Sequence, residues 1–269
     1  MEATASDAID LREAGASGGW WGRFVDSPLW PATLSVLLLL VWQAYVSFSG
    51  TLKVLLPAPS DIVRYLWLHR ALLLENAWPT IYQCLLGFAL AVVGGIAIAI
   101  VITQFKTIRR GFYPLVVVIA LTPKISLAPL FTLWFGTNSF SRVALVFFIS
   151  FFPMVVSPAS GLTNVDPGLL RMARSFGASR AQIFWTLRVP SALPHIFDGM
   201  KVAISLAVIG IIVAEFVTSE TGLGYLIIFA TGLLDTTMML SAIIVLSVIG
   251  LFFYFTVEAI ARVAVYWQR

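Results

Sequence analysis

The stretch from Asp166 to Pro190, DPGLLRMARSFGASRAQIFWTLRVP, is the one long polar and basic interruption between otherwise apolar segments. Asp166 is an N-cap residue type, and Pro167 follows at the first helical position, where its missing N–H costs nothing and its fixed φ suits a helix start. The spacing predicts a helix from Asp166 that Gly177 interrupts. Ser179 with Gln182 three residues on makes a capping box and predicts a second short helix. On that helix Ile183, Phe184 and Leu187 share one side while Arg180 and Arg188 lie elsewhere, so it offers an apolar ridge to something outside the chain. The same features fit an amphipathic loop resting on lipid headgroups, and at this point both readings stay open.

With 59% hydrophobic residues, 11% charged and a mean hydropathy of +0.94, the chain lies outside the range of soluble domains. It reads as an all-α integral membrane protein. A spanning helix needs roughly 20 apolar residues. Runs bounded by charge or turn signals predict six: 30–49, 79–103, 113–134, 141–163, 192–217 and 238–262. Residues 1–28 form no apolar run and are too acidic at the start for a signal peptide, so they read as a retained cytoplasmic tail with an interfacial helix anchored by Trp20, Trp21, Phe24 and Trp30. Residues 29–269 read as one transmembrane domain, with no internal repeat.

Orientation follows from the basic residues counted by loop. Arg12, Arg23, Lys106, Arg109, Arg110, Arg171, Arg174, Arg180, Arg188, Arg262 and Arg269 fall on one side, against Lys53, Arg64, Arg70 and Arg142 on the other. The Asp166–Pro190 loop and both termini are therefore expected in the cytoplasm. The net charge of +4 reads as a topology signal, not as a nucleic-acid surface.

Within the spans, Gly87, Ala91, Gly95 and Ala99 recur every four residues, and Gly199, Ala203 and Ala207 repeat the pattern, so both helices are expected to let another backbone approach closely. The third span carries Pro114, Pro123 and Pro129 around Lys124. A cation at membrane depth is a functional candidate, here one that attracts a polar or anionic solute, although a lysine can also snorkel or pair structurally. Glu215 faces either the passage or a polar partner. Thr218 to Asp235 is too short to span and is broken by Gly222 and Gly224, which predicts a re-entrant segment able to gate the outer side. Asp198 with Lys201, and Glu258 with Arg262, have the spacing of helical ion pairs. His69 reads as an interfacial side chain, and no metal-ligand spacing is present.

Several segments together resemble the ABC-importer permeases. Ala173, Gly177, Ala178, Ser179, Leu187 and Pro190, followed by Ala192-Leu193-Pro194, are similar to the cytoplasmic EAA loop of that family. So are Leu56-Pro57-Ala58-Pro59-Ser60, the run Pro123 to Gly136 (PKISLAPLFTLWFG), Ala214-Glu215 and Gly222-Leu223-Gly224-Tyr225, which resemble the nitrate/sulfonate/taurine-type branch of binding-protein-dependent permeases. The resemblance implies a type I importer permease fold with six transmembrane helices. It further implies that loop 164–190 is the coupling helix docking into an ATPase subunit through Arg171, Ala173, Gly177, Ala178, Ser179, Ile183, Phe184, Leu187 and Pro190. Pro123, Lys124 and Glu215 are then expected at the translocation pathway, and Gly222, Gly224 and Tyr225 at an outer gate. One departure is visible: Arg171 stands where the family has its glutamate, and Met172 replaces the first alanine.

The implied assembly is a homodimer of permeases in the bacterial inner membrane, with two cytoplasmic ABC ATPases and an extracytoplasmic solute-binding protein. No G-x-x-x-x-G-K-[ST] loop is present, so ATP and Mg are expected on the partner ATPase, with no cofactor or metal on this chain and no enzymatic activity of its own. The alternative is a stand-alone secondary transporter or channel, for which inverted repeats or several membrane-embedded carboxylates are expected and are not evident. Pro123–Phe131 looks closest to permeases for small organic solutes such as pyrimidine precursors, with taurine, sulfonate and nitrate permeases close behind.

Overall fold

The structure, a computed structural model, describes residues 30–50, 52, 54–218 and 220–268. The 1–28 tail and its Trp20, Trp21 and Phe24 anchor lie outside the described residues. Every element among the described residues is helical: α1 (Trp30–Ser49), α2 (Pro59–Leu68), α3 (Arg70–Gln104), α4 (Lys106–Leu121), a 3-10 turn (Lys124–Leu127), α5 (Ala128–Phe135), α6 (Ser139–Thr163), α7 (Pro167–Ser175), α8 (Arg180–Ile183), a π-turn (Phe184–Arg188), α9 (Val189–Thr218), α10 (Leu223–Gly232), α11 (Thr236–Ala264) and a final 3-10 turn (Tyr266–Gln268). Among the described residues five helices are long and apolar enough to cross a membrane, and a sixth crossing results if the bent pair α4 and α5 counts as one.

The chain divides at Arg64 and Tyr65 into two units. In the first, α1 is exposed along almost its whole length, and the Ser60 N–H donates to Gln43 Oε1 at 3.1 Å. The second holds the transmembrane core, and α6 is its centre. A β-carbon on Gly87 would lie 2.6 Å from Val146 Cγ1, one on Gly95 2.8 Å from the Met154 carbonyl carbon, and one on Gly199 2.9 Å from Ser157 Cβ. The two small-residue stripes thus seat α3 and α9 directly on α6, with Ala91, Ala99, Ala203 and Ala207 fully buried between them. Dispersion contacts at this spacing replace the hydrophobic drive that lipid cannot supply.

Three span boundaries differ from expectation. The second span was expected from Pro79, yet α3 starts at Arg70 and runs through that proline. An interior proline costs about 3 kcal/mol. Here Leu73 and Ala77 pack on Leu223, Leu226, Ala230 and Met238, and that packing holds the extra turns in place. The third span was expected as one segment, but α4 and the Lys124–Phe135 helix meet at 82°. Thr122 is extended (φ −66°, ψ 143°), as a residue before proline prefers, and Pro123 cannot donate to continue the ladder. The third difference concerns the second loop helix, which does not stop. Residues Arg180–Thr218 form a single helix through Pro190 and Pro194, because the π-turn widens the backbone just before Pro190 and the Val189 N–H reaches back to Phe184 O.

Candidate functional site

The Asp166–Pro190 segment is built as its local chemistry requires. The Asp166 carboxylate accepts the Gly168 N–H at 2.6 Å and caps α7. At the other end Gly177 adopts φ +76°, its N–H bonds to Arg174 O, and the Ala178 N–H bonds to Ala173 O, both at 3.0 Å. That is a Schellman turn, whose left-handed residue carries a penalty of about 1–2 kcal/mol for anything with a β-carbon. Open space surrounds Gly177, so conformation alone demands the glycine. The capping box is complete, with Ser179 N–H to Gln182 Oε1 at 2.8 Å and Gln182 N–H to Ser179 Oγ at 3.2 Å.

The apolar ridge expected on the second helix points inward. Ile183 and Phe184 are both buried, Phe184 in a cluster with Leu162 and Ala192, and Leu187 is half-buried, so Ile183 and Phe184 are closed to an outside partner. Amphipathic spacing identifies an apolar face but not its occupant, and here α6 and α9 of the same chain supply it. The apolar side chains that the segment does expose are Leu169, Met172, Phe176 at 83% and Trp185 at 67%. Arg171 is exposed beside them, Ala173 and Ala178 are half-buried, and Pro190 is half-buried at the foot of α9.

Lys124 sits at the bend between α4 and the 3-10 turn. Its Nζ donates to Ala120 O at 2.8 Å and lies 5.0 Å from the centre of the Phe152 ring. A cation there caps the last turn of α4 and is partly desolvated against an aromatic face. Pro123 beside it is exposed.

At the end of the second unit away from the loop lies a buried polar cluster. Glu215 is 1% exposed and accepts hydrogen bonds from Thr80 Oγ1 and from the Gly224 N–H, both at 2.7 Å. The Gly222 N–H donates to Asn76 Oδ1 at 3.0 Å, and the Leu223 N–H to Thr80 Oγ1 at 2.9 Å. Arg142, also buried, donates from Nε to Gln83 Oε1 at 2.7 Å and from Nη1 to Thr218 O at 3.2 Å. Of the two alternatives for Glu215, the enclosed position favours the polar partner. Gly222 and Gly224 are buried against it, and Tyr225 stacks on Phe229 with ring centres 5.7 Å apart. Sequence reasoning missed Asn76, Thr80, Gln83 and Arg142. The first three recur at positions i, i+4 and i+7, the signature of one helix face, and that polar stripe was the available signal.

Both expected ion pairs form, Lys201 with Asp198 at 3.4 Å and Arg262 with Glu258 at 3.1 Å, and a third joins Lys201 to Glu258 at 2.6 Å. Among the described residues no group of three His, Cys, Asp or Glu could hold a metal.

The profile of a family described as "Binding-protein-dependent transport system inner membrane component" matches residues 91–264. The chain belongs to this family. Among curated relatives, this permease is 31% identical over 240 residues to the formylaminopyrimidine transport permease ThiX of Halalkalibacterium halodurans, covering 89% of this chain and 96% of the relative. It is 32% identical to the riboflavin transport system permease RibX of Chloroflexus aurantiacus, with 88% and 89% covered, and 27% identical to the taurine transport system permease TauC of Escherichia coli K12, with 89% and 92% covered. Together with the aliphatic sulfonate permeases among its relatives, these support the nitrate/sulfonate/taurine-type branch. Its fold is similar to that of the methionine ABC transporter MetNI, solved in inward-facing conformations, with a TM-score of 0.60 and 18% identity over 73% of this chain and 97% of that one. The permease is a multi-pass membrane protein of the ABC-importer type.

Proposed function

We propose that the permease is one half of the membrane passage of an ATP-driven importer for a small polar or anionic organic solute, worked by ATPase subunits docked on residues 166–190. The observation that carries this is the form of that segment within a binding-protein-dependent transport family: two helices meet at a Schellman turn and leave Leu169, Met172, Phe176 and Trp185 exposed in a basic surround. A helix pair with exposed aromatic anchors is the shape that seats in a groove of a partner. In this reading a second copy completes the passage, and both termini and the loop lie in the cytoplasm of a bacterial inner membrane. A solute-binding protein delivers the substrate from outside, and ATP and Mg reside on the ATPases. Pro123 and Lys124 contribute to the passage, and Gly222, Gly224 and Tyr225 belong to the outer gate segment.

The relatives transport a formylaminopyrimidine, riboflavin, taurine and sulfonates, which favours a small organic solute over an inorganic ion. A stand-alone transporter draws no support, because the enclosed carboxylate of Glu215 is fully engaged within the chain.

The test replaces Gly177. Gly177→Pro cannot adopt φ +76° and should abolish uptake and capture of the ATPase while the protein still inserts in the membrane. Normal uptake and ATPase capture by Gly177→Pro would overturn the assignment of the loop.

A further inference from the structure

We propose that Glu215 is a positioning residue whose carboxylate fastens the α10 segment to α3 and α9, so that this end of the permease moves as one body. The first N–H groups of any helix lack intrahelical partners and usually find them in the side chain of the N-cap residue. The N-cap of α10 is Gly222, which has no side chain to offer. Instead three consecutive N–H groups, those of Gly222, Leu223 and Gly224, donate to Asn76, Thr80 and Glu215. The cap of α10 is therefore supplied by two other helices, and α10 cannot leave without exposing all three donors to a buried, apolar setting.

Thr80 is the pivot of this arrangement. Its hydroxyl has one proton and lies within reach of both Glu215 Oε1 at 2.7 Å and Asn76 O at 3.2 Å. The shorter bond to a carboxylate takes the proton, which leaves the oxygen lone pairs to accept from Leu223. Glu215 thereby accepts at both oxygens, one from α3 and one from α10. The glycines make this possible: Gly222 is at φ +114° with Glu215 pressed against it, and a β-carbon on Gly224 would lie 2.8 Å from Glu215 Cβ. A second layer braces the first, since the buried Arg142 guanidinium links Gln83 on α3, Ser139 at the start of α6 and the Thr218 carbonyl at the end of α9.

The consequence is mechanical. The segment expected to gate the outer side does not swing against α3. It travels with α3 and the end of α9, so opening at that end is a displacement of the block. The gating role rests on the function proposed above, whereas the fastening itself does not.

The test measures an intrachain distance between spin labels at Trp78 on α3 and Ile228 on α10, both exposed, in full-length protein with Cys84→Ala in lipid nanodiscs. The wild-type sequence should give one narrow distribution. Thr80→Val, which keeps the volume and removes the hydroxyl, should broaden or split it, Glu215→Gln should do likewise because either Thr80 Oγ1 or the Gly224 N–H must then face an amide donor where it met a carboxylate oxygen, and Thr80→Ser should restore the narrow peak. A wild-type distribution that is already broad, or Thr80→Val and Glu215→Gln distributions indistinguishable from it, would overturn the proposal. The same labels without any substitution in the cluster give a second reading, in the assembled transporter with and without trapped ATP. The distance should not change between the two, and a shift of the peak would refute block motion. Failure to assemble with an ATPase would count against the proposed function while leaving the nanodisc result decisive for the fastening.

Discussion

Lys201 Nζ lies 2.6 Å from Glu258 Oε2 and joins α9 to α11, while the Glu215 carboxylate, roughly 21 Å further along α9 at 1.5 Å per residue, joins it to α3 and α10. One helix is thus tied at two depths to different neighbours. Lys201 and Glu258 are about a quarter exposed, at 23% and 24%, and each also holds a partner on its own helix, Asp198 and Arg262. A network so placed is worth more than isolated surface pairs, and the members should be coupled. In a double-mutant cycle, Lys201→Met with Glu258→Gln should destabilise the detergent-solubilised protein by less than the sum of the single changes. Additive melting shifts would show that the pair contributes nothing across the helices.

At the turn between α10 and α11, Leu234 has φ +56°, the only positive φ outside glycine among the described residues. Its N–H bonds to Thr231 O and that of Asp235 to Ala230 O, a Schellman turn with leucine in the glycine place. The left-handed conformation costs a leucine about 1–2 kcal/mol, and the side chain is 68% exposed, so little packing offsets it. Leu234→Gly should raise the melting temperature by about 2–4 °C, the shift that ~1 kcal/mol gives in a chain of this size. A lower melting temperature would mean that the leucine side chain holds more than the backbone strain releases.

If residues 166–190 seat an ATPase, the energy of that contact rests on the exposed aromatics. Trp185→Ala and Phe176→Ala should each weaken ATPase binding about tenfold or more, ~1.4 kcal/mol or above, with melting unchanged. Phe184→Ala should do the reverse, because its side chain fills a buried cluster with Leu162 and Ala192. Binding unaffected by both aromatic truncations would place the docking face elsewhere.

Lys124 offers a test of the passage. Its ammonium group rests on Ala120 O and the Phe152 ring without a carboxylate partner in the described ion pairs. Lys124→Met keeps the length and removes the charge, and should lower uptake while the assembled complex and its melting temperature persist. Unchanged uptake would remove Lys124 from the passage, and loss of the folded complex would assign it to structure.

What could be read from sequence was what is local. The Ser179–Gln182 box, the turn at Gly177, the stripes through Gly87 and Gly199, and the Asp198–Lys201 and Glu258–Arg262 pairs each depend on residues at fixed short spacing, so periodicity and caps reveal them. The buried cluster depends on residues far apart in the chain: Thr80 and Glu215 are separated by 135 positions, Gln83 and Arg142 by 59. No spacing rule links them. Arg142 was counted among the cations of a loop, yet it is enclosed, because besides Ser139 on its own helix the partners that compensate its burial, Gln83 and the Thr218 carbonyl, come from two other stretches of sequence. Likewise the face holding Ile183 and Phe184 was visible as apolar, but whether it covers its own chain or another is a matter of tertiary packing.

In the function proposed above, displacement of the 166–190 loop drives the passage between two copies of the permease. The continuous helix Arg180–Thr218, about 58 Å long at 1.5 Å per residue, joins the loop to the far end as a lever. The most direct measurement is a pair of distances between the two copies of the permease in the assembled transporter, from spin labels at Ser179 and at Thr221 in the Cys84→Ala background. Nucleotide shifts the equilibrium only if it binds the two conformations differently, and the two ends of a lever then respond in opposite senses. Trapping ATP should shorten the Ser179 pair and lengthen the Thr221 pair. Two distances that move in the same direction would contradict this mechanism.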